Sequence, residues 1–159
     1  MQPTTRRCGA RDLSAMKVSG RVLADSDPWQ FATGIGLTNR SASPCTLGGW
    51  VTFTMVGISV ICIPATPDCP DDPTAARPDQ SVTRVERRAP QTYLVKPGEH
   101  VALSVFWDSI VGRRCEKFWY DPSHVEIRVP GDTAPIVLKP PQIQPCRGAV
   151  GITAIGEAA

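Results

Sequence analysis

Residues 101–107 are the most regular stretch of this chain: Val101, Leu103, Val105 and Trp107 alternate with Ala102, Ser104 and Phe106. An extended strand points successive side chains to opposite faces of a sheet, so a period of two marks a strand with one face on a core. The same period recurs from end to end. Met16, Val18 and Val22 suggest a first strand, and Phe31, Thr33, Ile35 and Leu37 line a second. Residues 47–56 and 58–63 read as two more, with a turn at Gly57. Val82 and Val85 mark a weak edge strand, and residues 91–95 run into the turn Lys96-Pro97-Gly98-Glu99. Val125, Ile127 and Val129 alternate with Glu126 and Arg128, and residues 136–138 and 149–155 close the series. Sixteen prolines and 13 glycines separate these runs, and both residue types break helices. A short helical turn starting near residues 14–17 is the longest helix the pattern tolerates. The chain is therefore expected to form one domain over residues 1–159, an all-β antiparallel sandwich of eight or nine short strands. Residues 1–7 read as a disordered N-terminal remnant. Residues 64–80 (PATPDCPDDPTAARPDQ) read as an exposed loop, and residues 110–123 as a connection between two strands.

Six cysteines, at 8, 45, 62, 69, 115 and 146, are many for a chain of this size. None falls in the C-x2-C spacing of common zinc sites, and His100 and His124 lie near neither each other nor a cysteine pair. No metal and no cofactor is expected. Disulfides are the better reading, and with them export to an oxidising compartment. Position favours one pairing. Cys62 and Cys69 enclose the Pro-rich turn. Cys115 follows one strand and Cys146 precedes the last, which leaves Cys8 with Cys45. No apolar leader precedes Cys8, so the native precursor is expected to be longer, with its signal or anchor segment removed ahead of Met1. The expected location is outside the cell or on the outer face of its envelope.

Seventeen basic residues against 15 acidic give a net charge of +2, too even for a nucleic-acid partner. The densest basic stretch, Arg84-Val-Glu-Arg87-Arg88, reads as a solvated strand edge. No charge occurs over residues 41–67, but a membrane span needs about 20 mostly apolar residues. This stretch is broken by Pro44, Gly48, Gly49, Gly57 and Pro64, and Val51, Phe53 and Met55 alternate with Thr52 and Thr54. Buried strands are expected there, with no membrane span, in a monomer.

Four segments carry a resemblance. They are Cys8-Gly-Ala-Arg-Asp-Leu13; Gly36-Leu-Thr-Asn39 with Pro44-Cys-Thr-Leu47-Gly-Gly-Trp50; Val95-Lys-Pro-Gly98 leading to Ala102-Leu-Ser-Val-Phe-Trp107; and residues 125–130 with Pro145-Cys146-Arg-Gly148. Together they resemble the secreted actinobacterial family known as domain of unknown function 4232. The resemblance implies an immunoglobulin-like sandwich at the cell envelope, often held there by a lipid or a single helix. It also implies the pairs Cys8–Cys45 and Cys115–Cys146. Cys62, Cys69 and the run Gly49-Trp50-Val51 depart from the family pattern. The family brings no catalytic residue with it.

The remaining candidates are weighed on chemistry. A serine hydrolase needs a nucleophile on a sharp turn, a His base and an acid to orient it. Asp121-Pro-Ser-His124 reads instead as a turn opened by Asp, and the chain is expected not to be an enzyme. Asp68, Asp71, Asp72 and Asp79 match no calcium-loop spacing and read as a solvated acidic loop. The loop clipped by Cys62 and Cys69 has the rigidity of an inhibitor's contact segment, which gives one alternative function. The consecutive Phe118, Trp119 and Tyr120 are the strongest hint of a binding surface, because aromatic rings dominate hot spots. With Trp29 they form the candidate ligand site, and carbohydrate is the second alternative. The competing reading buries Phe118 and Tyr120 over the end of the core. Trp50 and Trp107 fall in strand patterns and are expected in the core. The leading expectation is a non-catalytic binding or scaffold module for a protein or glycan of the cell envelope.

Overall fold

The computed structural model of the protein describes residues 5–19, 22–23, 29–62, 80–108, 118–146 and 148–157; the side chains of Val22, Leu23, Val60, Cys62, Phe118 and Trp119 lie outside that description. Eleven strands occur among the described residues: β1 (Leu13–Lys17), β2 (Val22–Leu23), β3 (Phe31–Asn39), β4 (Cys45–Gly48), β5 (Thr52–Cys62), β6 (Ser81–Arg84), β7 (Thr92–Val95), β8 (His100–Trp107), β9 (Phe118–Arg128), β10 (Ile136–Leu138) and β11 (Ala149–Ile152). One sheet has the order β1-β3-β8-β11-β6, with β2 also on β3; a second is β10-β9-β5, and β4 and β7 form a ribbon. Every pairing between these strands is antiparallel except β11 with β6. The protein is thus the all-β sandwich that the period of two predicts.

The alternation fills the core as expected. Leu103, Val105 and Trp107 of β8 and Ile35 and Leu37 of β3 meet Phe53 and Met55 of β5 and Val125 and Ile127 of β9 in one cluster. Phe31 packs on Trp107 with ring centroids 5.3 Å apart, and the Trp107 indole N–H donates to the Thr33 hydroxyl at 3.3 Å. Burying one such side chain contributes about 2 kcal/mol.

The strand count differs from the expectation because glycine and proline are ambiguous punctuation. The expected single strand over 47–56 is cut in two at Gly48-Gly49-Trp50, whereas the expected turn at Gly57 is absent. Gly57 has φ +63° but sits inside β5, which pairs with β9 from Thr52↔Arg128 to Val56↔His124 and again, in the same register, from Ile58↔Pro122 to Cys62↔Phe118, with the pair at Gly57 and Ser123 skipped. The expected connection over 110–123 is overturned from residue 118 onward, and the Asp121-Pro-Ser-His124 turn with it: these residues are strand. Proline is tolerated there for a geometric reason. Tyr120 donates its N–H away from β5, to the Pro145 carbonyl at 3.0 Å. Pro122 stands two residues on, on the same side, so the ladder to β5 never needs the N–H it lacks. The helical turn lies earlier than expected, as a 3-10 turn at Ala10–Asp12, and residues 14–17 belong to β1.

The N-terminal segment is braced. Cys8 and Cys45 form a disulfide, Cys8 N–H donates to Thr46 O, and Thr46 N–H donates to Arg6 O. Arg6 and Arg7, expected in a disordered remnant, therefore lie along β4. The Arg6 guanidinium donates to the Asp12 carboxylate at 2.8 Å and to the Ser41 and Ser43 hydroxyls at 3.0 Å. The Gly9 N–H at 2.8 Å, and after it Arg6, hold the Asp12 carboxyl below the usual carboxylate range. Asp132 is held low in the same way by the N–H groups of Ala10 and Ala134.

Asn39 closes this end. It is fully buried. Its amide donates to Ser43 O and Val95 O, both at 2.9 Å, and its carbonyl accepts from the Ser41 N–H and hydroxyl. One side chain thus ties the 40–45 turn to β7.

The outer edge of β5 is closed by a side chain. Gln80 accepts the Met55 N–H and donates to the Met55 carbonyl, each at 2.7 Å, and so stands in for a neighbouring strand.

Candidate binding cleft

Of the residues proposed from sequence, Tyr120 and Trp29 lie on opposite sides of the larger sheet. Tyr120 is buried in the core between the sheets, as the architectural reading has it. Phe118 and Trp119 contribute backbone to β9, and their side chains lie outside the described residues. Trp29 is half-buried on the outer face of the larger sheet. Its indole occupies the space where a side chain at Gly151 would stand: a Cβ there would be 2.9 Å from the ring and 2.8 Å from Val85. That glycine lies opposite Phe106 of β8. Trp29 is therefore packed against the sheet.

Cys146 is disulfide-bonded to a cysteine whose side chain is not among those described. The expected pairs Cys62–Cys69 and Cys115–Cys146, the acidic loop and the inhibitor-like segment all fall outside the described residues. Among the described residues no three His, Cys, Asp or Glu side chains converge as a metal site. No helix there is long and apolar enough to cross a membrane. The Ser123 hydroxyl lies 2.9 Å from His124 Nδ1, but it also meets the Val56 carbonyl at 3.1 Å. The Asp121 carboxylate accepts from the Gln144 amide at 3.3 Å, and among the described residues no carboxylate bonds to the His124 ring.

A different surface is built at Trp50. β4 ends where Gly48 meets the chain before β7; a Cβ on Gly48 would lie 2.2 Å from the Gln91 carbonyl oxygen. Gly49 then takes φ +85°, open to glycine at little cost, and its carbonyl accepts the Ile155 N–H at 2.9 Å. This corner delivers Trp50, half-buried at the margin of the core. On the other side, β6 is carried to the sheet edge by its parallel pairing with β11. Val85 N–H continues that pairing to Ile152 O at 2.7 Å, and the chain then turns through residues 86–90 towards β7.

Three arginines are fixed by this path. The Arg84 guanidinium lies 4.8 Å from the centroid of the Trp50 ring, and that of Arg87 lies 5.5 Å from the Phe106 ring. Each stacks a cation on an aromatic face, an arrangement worth about 0.5–1 kcal/mol at exposed sites. Arg88 donates through Nε to the buried Glu157 carboxylate, which holds its guanidinium above the ordinary value. Glu157 is set in place by Gly156, at φ +89°, which lies under the Tyr93 ring.

Two adjoining hollows open between these elements and meet at Pro90. One, of about 320 Å³, is lined by Trp50 and residues 86–90. The other, of about 240 Å³, lies over Gly48 and Gly49 and is bounded by Arg7, Thr92 and Pro130. Three arginines line the cleft (Arg7, Arg87 and Arg88), with Arg84 stacked on the lining Trp50; the carboxylate in the lining is Glu86, and Glu157 pairs with Arg88 from behind. Sequence reasoning missed this site. Arg84, Arg87 and Arg88 look like a solvated edge, and Trp50 looks like core; the adjacent Gly48-Gly49 pair was the available signal of a corner there. The chain matches no protein-family model, no curated protein and no solved structure.

Proposed function

We propose that the protein is a non-catalytic binding module of the extracytoplasmic side, secreted or held at the cell envelope, whose ligand is a protein or glycan of that envelope. The observation that carries this reading is the concave, arginine-rich cleft at Trp50 on a disulfide-stapled sandwich. Concave sites with a few convergent polar groups are where ligands bind. Disulfides persist in oxidising compartments, which supports the location. The likeness to domain of unknown function 4232, strongest over residues 39–50, belongs to the same proposal. The test is sedimentation of the purified protein with isolated cell-wall and membrane fractions. Saturable retention that Arg84→Ala weakens is expected. Absence of retention on any fraction would overturn the reading, as would turnover of ester, peptide or glycoside substrates that Ser123→Ala or His124→Ala abolishes.

A further inference from the structure

We propose that the cleft at Trp50 recognises an acidic glycan, a saccharide chain bearing carboxylates such as a uronic-acid oligomer; this rests on the binding-module reading above. The argument begins with the arginines. The Arg84 guanidinium lies over the Trp50 ring, 4.8 Å from its centroid, and carries the planar N–H fork common to every guanidinium. Such a fork matches a planar carboxylate with two parallel hydrogen bonds. No carboxylate among the described residues pairs with Arg84 or with Arg7 at the far end of the cleft. Arg88 differs: its partner, Glu157, is buried and orients it.

Carboxylate is favoured over phosphate by what else lines the cleft. Phosphate sites add backbone N–H nests or a helix N-terminus. Here Pro90 and Pro130, which have no N–H, stand on the walls, and no lysine is present in either lining. A glycan is favoured over a peptide by the state of β4. Peptides that lack an anchor pocket bind by adding a strand to a free edge. β4 is already paired on both sides, with β7 and with the segment at Arg7. What the cleft offers is the rings of Pro90 and Pro130 for the C–H faces of sugars, guanidinium forks for their carboxylates, and Gln91 and Thr92 for their hydroxyls.

The test measures binding of a galacturonic-acid oligomer by isothermal titration, with neutral dextran oligomers, poly-glutamate and poly(glycerol phosphate) as the other arms. The galacturonate oligomer is expected to bind best and to weaken steeply up to about 0.5 M salt. Arg84→Ala and Arg7→Ala, both on exposed residues, are each expected to weaken it about tenfold. Trp50→Phe keeps an aromatic platform and is expected to bind while losing the indole fluorescence change. Galacturonate binding that ignores both arginine variants overturns the proposal, as does a stronger response to dextran, poly-glutamate or poly(glycerol phosphate). Retention on cell walls without galacturonate binding overturns the ligand class alone. Failure of both assays removes the binding-module reading as well.

Discussion

Asn39 shows how one side chain can set a local structure. A carboxamide has two donors and a two-lone-pair acceptor, and Asn39 commits all of them inside the protein. Its backbone adds two further bonds, donating to Glu99 O and accepting from Gly98 N–H. The side chain thus holds the turn before the Cys8–Cys45 bridge, and the backbone holds the turn after β7. Replacing it with leucine keeps the volume but removes all four side-chain bonds, including the one to the Val95 carbonyl; the Ser43 carbonyl keeps the Ser41 hydroxyl at 2.8 Å. Each lost buried bond costs about 1 kcal/mol net, and an orphaned group more. Asn39→Leu is therefore expected to cost about 3 kcal/mol, roughly 6–12 °C in Tm for a domain of this size. Thermal unfolding measures it directly. A loss no greater than that of Ser41→Ala would show that the four bonds do not act together.

At the scale of elements, the long β5–β9 pair depends on one residue with an unusual backbone. Gly57 holds φ +63° in mid-strand, and a Cβ there would stand 2.2 Å from the Ser123 hydroxyl. Gly57→Ala meets two separate penalties: the left-handed backbone, about 1 kcal/mol, and the contact with Ser123. The single variant is expected to lose about 2 kcal/mol, and Gly57→Ala with Ser123→Gly to recover the steric half. Equal losses in the single and double variants would place the whole cost in the backbone. The same pair marks the limit of what the sequence makes legible. Alternation at residues 101–107 and 125–129 identifies strands and core faces, because apolar side chains must share a face whatever the partner strand is. Gly57 and Asp121-Pro122 read as turns, because a glycine or a proline reports only what the backbone tolerates. Whether the chain turns depends on a neighbour far away in sequence, here β9 on β5. The cleft was hidden for the same reason. Arg84 meets Trp50 only because β6 pairs in parallel with β11, and no local signal at either strand names the other.

At the scale of the whole molecule, the described residues form two sheets and a ribbon, and the N-terminal segment crosses from the ribbon to the larger sheet. Two devices hold that crossing, a covalent one and an electrostatic one. The Cys8–Cys45 bridge spans 37 positions, and closing a loop of that length in the unfolded chain is worth about 3–4 kcal/mol. Cys8→Ala with Cys45→Ala is expected to lose about that much in denaturant unfolding, and the variant to become insensitive to reductant at this site. The electrostatic device makes stability depend on pH. Asp12, bound by the Gly9 N–H and the Arg6 guanidinium, has its carboxyl lowered in the folded state, and Asp132, at the N–H groups of Ala10 and Ala134, likewise. In the unfolded chain both return to about 3.9. A carboxyl whose folded value is depressed stabilises the fold at pH above that unfolded value, and the gain is lost as the pH falls through the folded value. The native protein is therefore expected to keep a flat Tm from neutral pH to about 4.5 and to weaken steadily below about 4. Asp12→Asn keeps the shape but not the charge, so it is expected to melt lower at neutral pH and to draw level with the native protein in strong acid. Paired melting curves across this range separate the charge from the packing. If the two curves stay parallel down to about pH 2, the Asp12 carboxylate is not the source of the acid limb, and the bridge and the backbone hydrogen bonds around it hold the N-terminal segment unaided.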